Sequence, residues 1–265
     1  MRDQRPRFCR GLFLCPCKSS TPRTGLPRER GSAPRCKGCK KDFTITSGTL
    51  FASHKLPLRG YLAAIAVFCN EVEGKSALAL SRDLGLSYKS AFVLLHKLRE
   101  AMAEEMKGRV VGGEGKTAEI DGGYFGGYIK PANLKEKRVD QSQAASFIRA
   151  RIAKGTTVHA DESGAWDGLH DRYEMKRINH QEAYSFDGAC TNQAEEYFSR
   201  LRRAEIGIHH HTAGAYLLRY AQESSWREDN RRTSNGDQVS RIATLALKHG
   251  KSVDFTGYWQ RHIEG

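Results

Sequence analysis

The sequence predicts an α/β chain, α+β overall, in which a helical part precedes a part where short strands and helices alternate around a parallel or mixed sheet. Three observations carry this. Apolar residues recur at helical spacing between residues 57 and 106. The runs Thr117 to Asp121 and Thr156 to Asp161 read as strands that each end on an aspartate, and Tyr173 to Ile178 alternates as a third strand would. A chain of 265 residues suffices for two or three small domains, each with its own core.

Residues 1–35 are rich in Arg, Pro, Gly and Ser without periodicity, and form a basic arm in which little packed structure is expected. Residues 1–41 hold twelve Lys/Arg against two Asp/Glu, so ten of the thirteen net positive charges sit there. Such a block favours a polyanion, and nucleic acid is the commonest one in a cell. Segment 36–53 opens on the knuckle Cys36-Lys37-Gly38-Cys39 and continues into a short β-type run, Asp42 to Thr46. Five of the seven cysteines fall in the first 39 residues, a grouping that suits metal ligation in a reducing compartment better than a disulfide framework.

Residues 54–107 read as a helical domain. Pro57 opens a helix that runs to about Asn70, and two more come after it, Ser76 to Leu84 and Ser87 to about Met106, separated by Gly85. A helix, a tight glycine turn and a serine-capped helix make the helix-turn-helix pattern. Its second helix would present Ser87, Tyr88, Lys89 and Ser90 at the end where recognition helices meet base edges, with Lys97 and Arg99 nearer the phosphates.

Residues 108–116 contain four glycines and read as a linker. From 117 to 232 strands alternate with helices predicted over Ala144 to Lys154 and Glu162 to Asp171, and longer helices begin near Asn192 and span Ala215 to Asp229. A helix over Val239 to His249 belongs to a C-terminal tail, 233–265. No apolar run approaches the roughly 18 residues that span a bilayer, so a soluble, cytoplasmic, nucleoid-associated protein is expected.

The chemistry concentrates in three carboxylates. Asp121 and Asp161 stand at the C-terminal ends of strands, where α/β sheets place their sites, and Glu195 lies in the first turn of the helix from Asn192. Three converging carboxylates repel one another unless divalent cations sit between them. Mg²⁺ or Mn²⁺, which take carboxylate and water oxygens, suit that set. Arg202, two turns after Glu195 on the same helix face, is spaced to hold a phosphate. Read blandly, Asp121 serves the turn before Gly122-Gly123 and Asp161 caps the predicted helix after it. His209-His210-His211 reads as a polar loop.

Several blocks together resemble the ISXO-type insertion-sequence transposases: Glu119-Ile120-Asp121-Gly122-Gly123-Tyr124-Phe125-Gly126-Gly127, Thr157-Val158-His159-Ala160-Asp161-Glu162, Asn179-His180, and Thr191-Asn192-Gln193-Ala194-Glu195 with Ser199-Arg200-Leu201-Arg202-Arg203. Phe43-Thr44-Ile45-Thr46-Ser47-Gly48-Thr49, Tyr220-Ala221-Gln222-Glu223 and Trp226-Arg227-Glu228-Asp229-Asn230-Arg231 extend the resemblance from about Cys36 to Arg232. It implies a ribonuclease-H-like catalytic domain whose DDE-type trio is matched by Asp121, Asp161 and Glu195, with Asn192 as a reserve ligand. It further implies Mg²⁺-dependent cutting of the terminal inverted repeats, joining of the freed 3′-hydroxyl to target DNA, and a homodimer in synapsis. A structural Zn²⁺ ribbon would use Cys15, Cys17, Cys36 and Cys39, although Cys15-Pro16-Cys17 has one intervening residue where the family's knuckle has two.

One further departure concerns the sheet. A ribonuclease-H-like chain makes a two-stranded hairpin between the first aspartate and the helix before the second, and here only Gly126 to Gln143 is available, polar and proline-bearing. The sheet is therefore expected to be curtailed, as by an internal deletion, with the Asp121 strand at an edge. A copy so shortened invites a rival reading, a non-catalytic helix-turn-helix remnant that binds DNA without cutting it.

Overall fold

The computed structural model describes residues 40–261 apart from 41, 54, 124, 126–140 and 179–189, with backbone alone for 141–144 and 261. Cys15, Cys17, Cys36 and Cys39, the stretch where the hairpin would fall, and Asn179-His180 lie outside the described residues. In chain order the elements are α1 (Leu58–Asn70), α2 (Ala77–Asp83), α3 (Tyr88–Met106), β1 (Thr117–Ile120), α4 (Gln141–Arg151), β2 (Thr157–Asp161), β3 (Glu174–Ile178), α5 (Asn192–Ala204), α6 (Gly214–Asn230), α7 (Asn235–Lys248) and α8 (Tyr258–Arg261). The chain divides into two compact units, one of residues 1–70, 77–102 and 233–265, the other of 71–76 and 103–232.

In the first unit α1 begins just past Pro57, whose carbonyl accepts from Gly60 N at 2.8 Å and Tyr61 N at 3.3 Å. Tyr61, Ala64, Ile65 and Phe68 recur three and four residues apart and are buried, giving α1 a single core face. That face meets α7, which buries Ile242 and Ala246 and is capped by Ser234, whose Oγ accepts from Asp237 N at 3.2 Å. The last segment of the chain, read from sequence as a tail, thus belongs to the helical core. Gly85, at φ +62°, turns the chain between α2 and α3, and Ser87 Oγ accepts from Ser90 N at 3.2 Å to start α3.

Of the β-type run expected over Asp42 to Thr46, Asp42 takes a single bridge position and turns take over from Ile45. Ser47 N donates to Thr44 O at 3.0 Å and Thr49 N to Thr46 O at 3.2 Å, while Thr49 Oγ1 donates to Thr46 O at 2.8 Å. Hydroxyls that satisfy nearby backbone groups compete with ladder pairing, and the segment coils so that Phe43, Leu50 and Phe51 are buried.

In the second unit β1, β2 and β3 form a sheet in that order, and the described strands are all parallel, one of the two arrangements that the strand and helix order suggested. Val158 and Ala160 of β2 join Ala145 and Ile148 of α4, and Ile152 just after it, in a core with Ile120, Trp166, Leu169 and Tyr173. Between β2 and β3 only a 3₁₀ turn, Gly164–Leu169, forms where a helix over Glu162 to Asp171 was expected. Gly164 and Gly168 weaken a helix there, and Ser163 caps the turn.

The glycine-rich segment 108–116, read as a linker, runs alongside the end of α4. Val111 N donates to Arg151 O and Ala153 N to Val111 O, both at 2.8 Å, and Gly113 N donates to Thr156 Oγ1 at 2.8 Å. No described helix is long and apolar enough to cross a membrane.

Candidate functional site

Parallel register sets the site. Ile120 of β1 lies opposite Ala160 of β2, so the next residues along the two strands are Asp121 and Asp161, on neighbouring strands that run about 4.8 Å apart. Asp121 accepts from Gly122 N at 2.6 Å. Asp161 Oδ1 accepts from Ser163 N at 3.2 Å and from the indole N–H of Trp166, which is itself built into the core under the sheet. Both donors reach the same oxygen, which fixes the carboxylate and turns it by its Oδ1 edge.

Two residues earlier on the same strand faces are Glu119 and His159, which are register partners. Glu119 Oε2 accepts from Gln193 N at 2.8 Å and Ala194 N at 3.0 Å. These are unfulfilled donors of the first turn of α5, and a carboxylate there also meets the positive end of the helix dipole. The helix needs this partner because Thr191, in the capping position, gives no side-chain cap; its hydroxyl donates instead to Glu195 Oε1 at 3.2 Å. His159 Nδ1 accepts from Cys190 N at 3.2 Å, and the Cys190 thiol donates to Glu119 Oε1 at 3.5 Å. The start of α5 is therefore clamped to β1 and β2 by the residues just behind the two aspartates.

A second tie lies further along. Phe125 and Phe198 pack with ring centroids 6.0 Å apart, Arg202 stands 5.7 Å over the Phe125 ring, and a Cβ on Gly123 would come within 2.7 Å of the Phe198 ring. Arg202, spaced from sequence to hold a phosphate, is thus an exposed cation resting on an aromatic face beside the loop after Asp121.

Glu195 lies on this anchored helix, exposed, one turn in from its start. As placed, no group of three or more His, Cys, Asp or Glu among the described residues is close enough to hold a metal ion. The donor set has the hard oxygen chemistry that Mg²⁺ takes, and two of its members share adjacent strand ends, so the fit is by chemistry and by register. Asn192, the reserve ligand, is the exposed first residue of α5.

Glu119 was not among the residues singled out from sequence, although its signal was present. A strand glutamate two positions before the aspartate shares its face. The closing block proves internal as well. Glu223, Trp226, Arg227 and Asn230, spaced three and four apart on α6, are all buried. Arg227 pairs with Glu223 at 2.8 Å and donates to Glu71 O, Trp226 Nε1 donates to Glu105 Oε2 at 2.5 Å, and Asn230 Nδ2 donates to Trp226 O at 2.7 Å. Tyr197 donates to Ala221 O at 2.7 Å, and burial pushes its hydroxyl up to about 12. The His209 ring packs tilted against Tyr220, centroids 4.4 Å apart, at the π-helical turn Glu205–His209 that extends α5. Ser87, Tyr88, Lys89 and Ser90 belong to the other unit, at the start of α3, where the first three are exposed.

The second unit is an α/β domain in which Asp121 and Asp161 end adjacent parallel strands and Glu195 lies in the first turn of α5. A family model, that of the ISXO2-like transposase domain, matches residues 137–229. That stretch, which includes Asp161 and Glu195, is thus similar to the ISXO2-like transposase domain over about a third of the chain. No curated protein and no solved structure matches the chain.

Proposed function

We propose that the chain is the transposase of an insertion sequence, cutting the ends of its element and joining the freed 3′-hydroxyl to target DNA. The observation that carries this reading is the in-register neighbourhood of Asp121 and Asp161 within a chain whose residues 137–229 match a transposase domain. Asp121, Asp161 and Glu195 are its proposed catalytic carboxylates and would hold Mg²⁺ or Mn²⁺. When bound, such ions polarise the attacking oxygen and stabilise the leaving one.

The chain's own residues orient this chemistry. Ser163 and Trp166 hold the Asp161 carboxylate, and Glu119 with His159 fixes the start of α5, so Glu195 rides on a helix whose position is set by the same two strands that carry the aspartates. Arg202 is the proposed phosphate contact on that helix. For the first unit, the α2, turn and α3 sequence supports a helix-turn-helix reader, with Ser87, Tyr88, Lys89 and Ser90 at the groove and a second copy of the chain at the other element end.

The test is a nicking and strand-transfer assay on a duplex carrying the element's terminal repeat, with Mg²⁺. Asp121→Asn, Asp161→Asn and Glu195→Gln are each expected to abolish cutting while duplex binding is kept. A variant that still cuts at the wild-type rate removes that residue from the trio. A wild-type chain that binds the duplex and never cuts it is a non-catalytic remnant.

A further inference from the structure

In the first unit a cavity of about 350 Å³ lies between α3 and the last described residues, lined among others by Ser53, Lys89, Ser90, Val93, Lys97 and Trp259. Lys89 or Ser90, Val93 and Lys97 recur at helical spacing, so one face of α3 forms a wall. Opposite, Trp259 Nε1 donates to Lys89 O at 3.1 Å, and the Lys89 ammonium sits 5.3 Å over the Trp259 ring, which keeps that charge beside the opening.

Lys97 sets this cavity apart. It is 1 % exposed, yet its ammonium, with three protons to donate, meets one neutral acceptor, Ala52 O at 3.2 Å, and no described carboxylate stands at ion-pair distance, Glu100 acting on it only from further off. Buried charges in proteins are paired or hold an ion. Ser90 Oγ accepts from Ser87 Oγ at 3.0 Å, so its own hydroxyl proton is left to give, and Ser53 lies exposed at the rim. The lining thus offers two ammonium groups and a hydroxyl donor, with no acid among its residues.

We propose that this cavity is an anion site for a phosphate group, with Lys97 as its buried ligand and Lys89 and Ser90 as its outer ones. Burial pushes the Lys97 ammonium down to about 8, against the pull of Glu100 on the next turn, so it is still charged at neutral pH and its desolvation is relieved when an anion enters. The site shares Lys89 and Ser90 with the proposed DNA-reading end of α3 and so rests in part on that reading, but phosphate binding and DNA cutting are measured separately, so the failure of one is told from the failure of the other. A phosphate group can come from a DNA backbone or from a small free phosphate, and the lining suits both.

The experiment is calorimetric titration of the full chain with inorganic phosphate at pH 7, ionic strength being matched with chloride. Saturable binding is expected, weakened at least about tenfold in Lys97→Met, which corresponds to roughly 1.4 kcal/mol. Lys97→Met replaces a buried charge by an apolar side chain of similar length and should remain folded by circular dichroism. Lys89→Ala, an exposed substitution that leaves the fold intact in any case, should also weaken binding. Absence of saturable binding by the wild-type chain, or unchanged affinity in both variants, overturns the proposal. In a second arm, inorganic phosphate is added to a complex with duplex DNA. Displacement beyond that by matched chloride assigns the site to a backbone phosphate, and an unaffected complex assigns it to a small free phosphate.

Discussion

At the scale of the residue, the most informative side chain is Glu119, whose carboxylate takes the place of a helix cap. Its removal leaves the N–H groups of Gln193 and Ala194 without their partner, so Glu119→Ala should cost about 1 to 2 kcal/mol by the usual worth of a cap, read as a lowered midpoint in urea unfolding. Glu119→Gln keeps an acceptor and should lose less. If the helix position governs the site, Glu119→Ala should also lower DNA cutting while leaving duplex binding unchanged. Lys97 carries a pH signature. Its folded value, about 8, lies below the ordinary 10.5, so between those values the unfolded chain binds more protons and stability rises with pH. Tyr61, pushed up to about 12 by burial, acts oppositely above pH 10, where the unfolded chain loses its proton first. In phosphate-free buffer the first unit should therefore gain stability from pH 8 to 10. The full shift corresponds to about 3 kcal/mol as an order of magnitude. Lys97→Met should flatten that rise, as followed by urea unfolding across the range.

Among the elements, β1 and α5 decide whether the carboxylates can act together. Asp121 and Asp161 are paired by the register of two strands, a relation that the sequence indicated by ending both runs on aspartate. The attachment of α5 was not legible in the same way, because it depends on Glu119, His159 and the Gly123 to Phe198 approach, partners separated by 31 to 75 residues. The segment before β1 is equally particular. Gly112 has φ +87°, and a Cβ there would stand 2.2 Å from Thr156 Oγ1, a group already engaged by Gly113 N and Ala153 O. Gly112→Ala should destabilise the second unit by more than about 1 kcal/mol, from the positive φ and the clash together, measured by hydrogen exchange of the β1 and β2 amides. Exchange unchanged in that variant would mean the segment is not held by these bonds.

For the whole molecule, the first unit is assembled from distant parts of the chain. The family match ends at residue 229, yet α7 lies beyond it and packs on α1, and Phe255 is 2 % exposed and stacks on His96 at 4.8 Å. A chain ending at Arg232 keeps the matched stretch and loses those contacts. It should show a lost or broadened thermal transition for the first unit, and a matching loss of duplex binding if that unit reads DNA. Phe255→Ala alone should cost about 3 to 5 kcal/mol, the usual range for emptying a buried aromatic site, followed by its melting temperature.

The sequence by itself determined the three strands and most of the helices, because those arise from local periodicity, and it singled out the proposed acidic set from short blocks that keep their order. The class of chemistry came from the order of the signature blocks, because the spacing of the three acidic residues suits turn and helix caps as well as it suits a metal site. Tertiary structure alone decided that the described sheet is parallel throughout, that the chain turns from Ile45 on instead of extending a strand, and that α7 completes the first core. It likewise decided that Glu223, Trp226 and Arg227 are interior and that Glu119 anchors α5. Each of these depends on which donor finds which acceptor across tens of residues, and pattern within a short window carries no record of that.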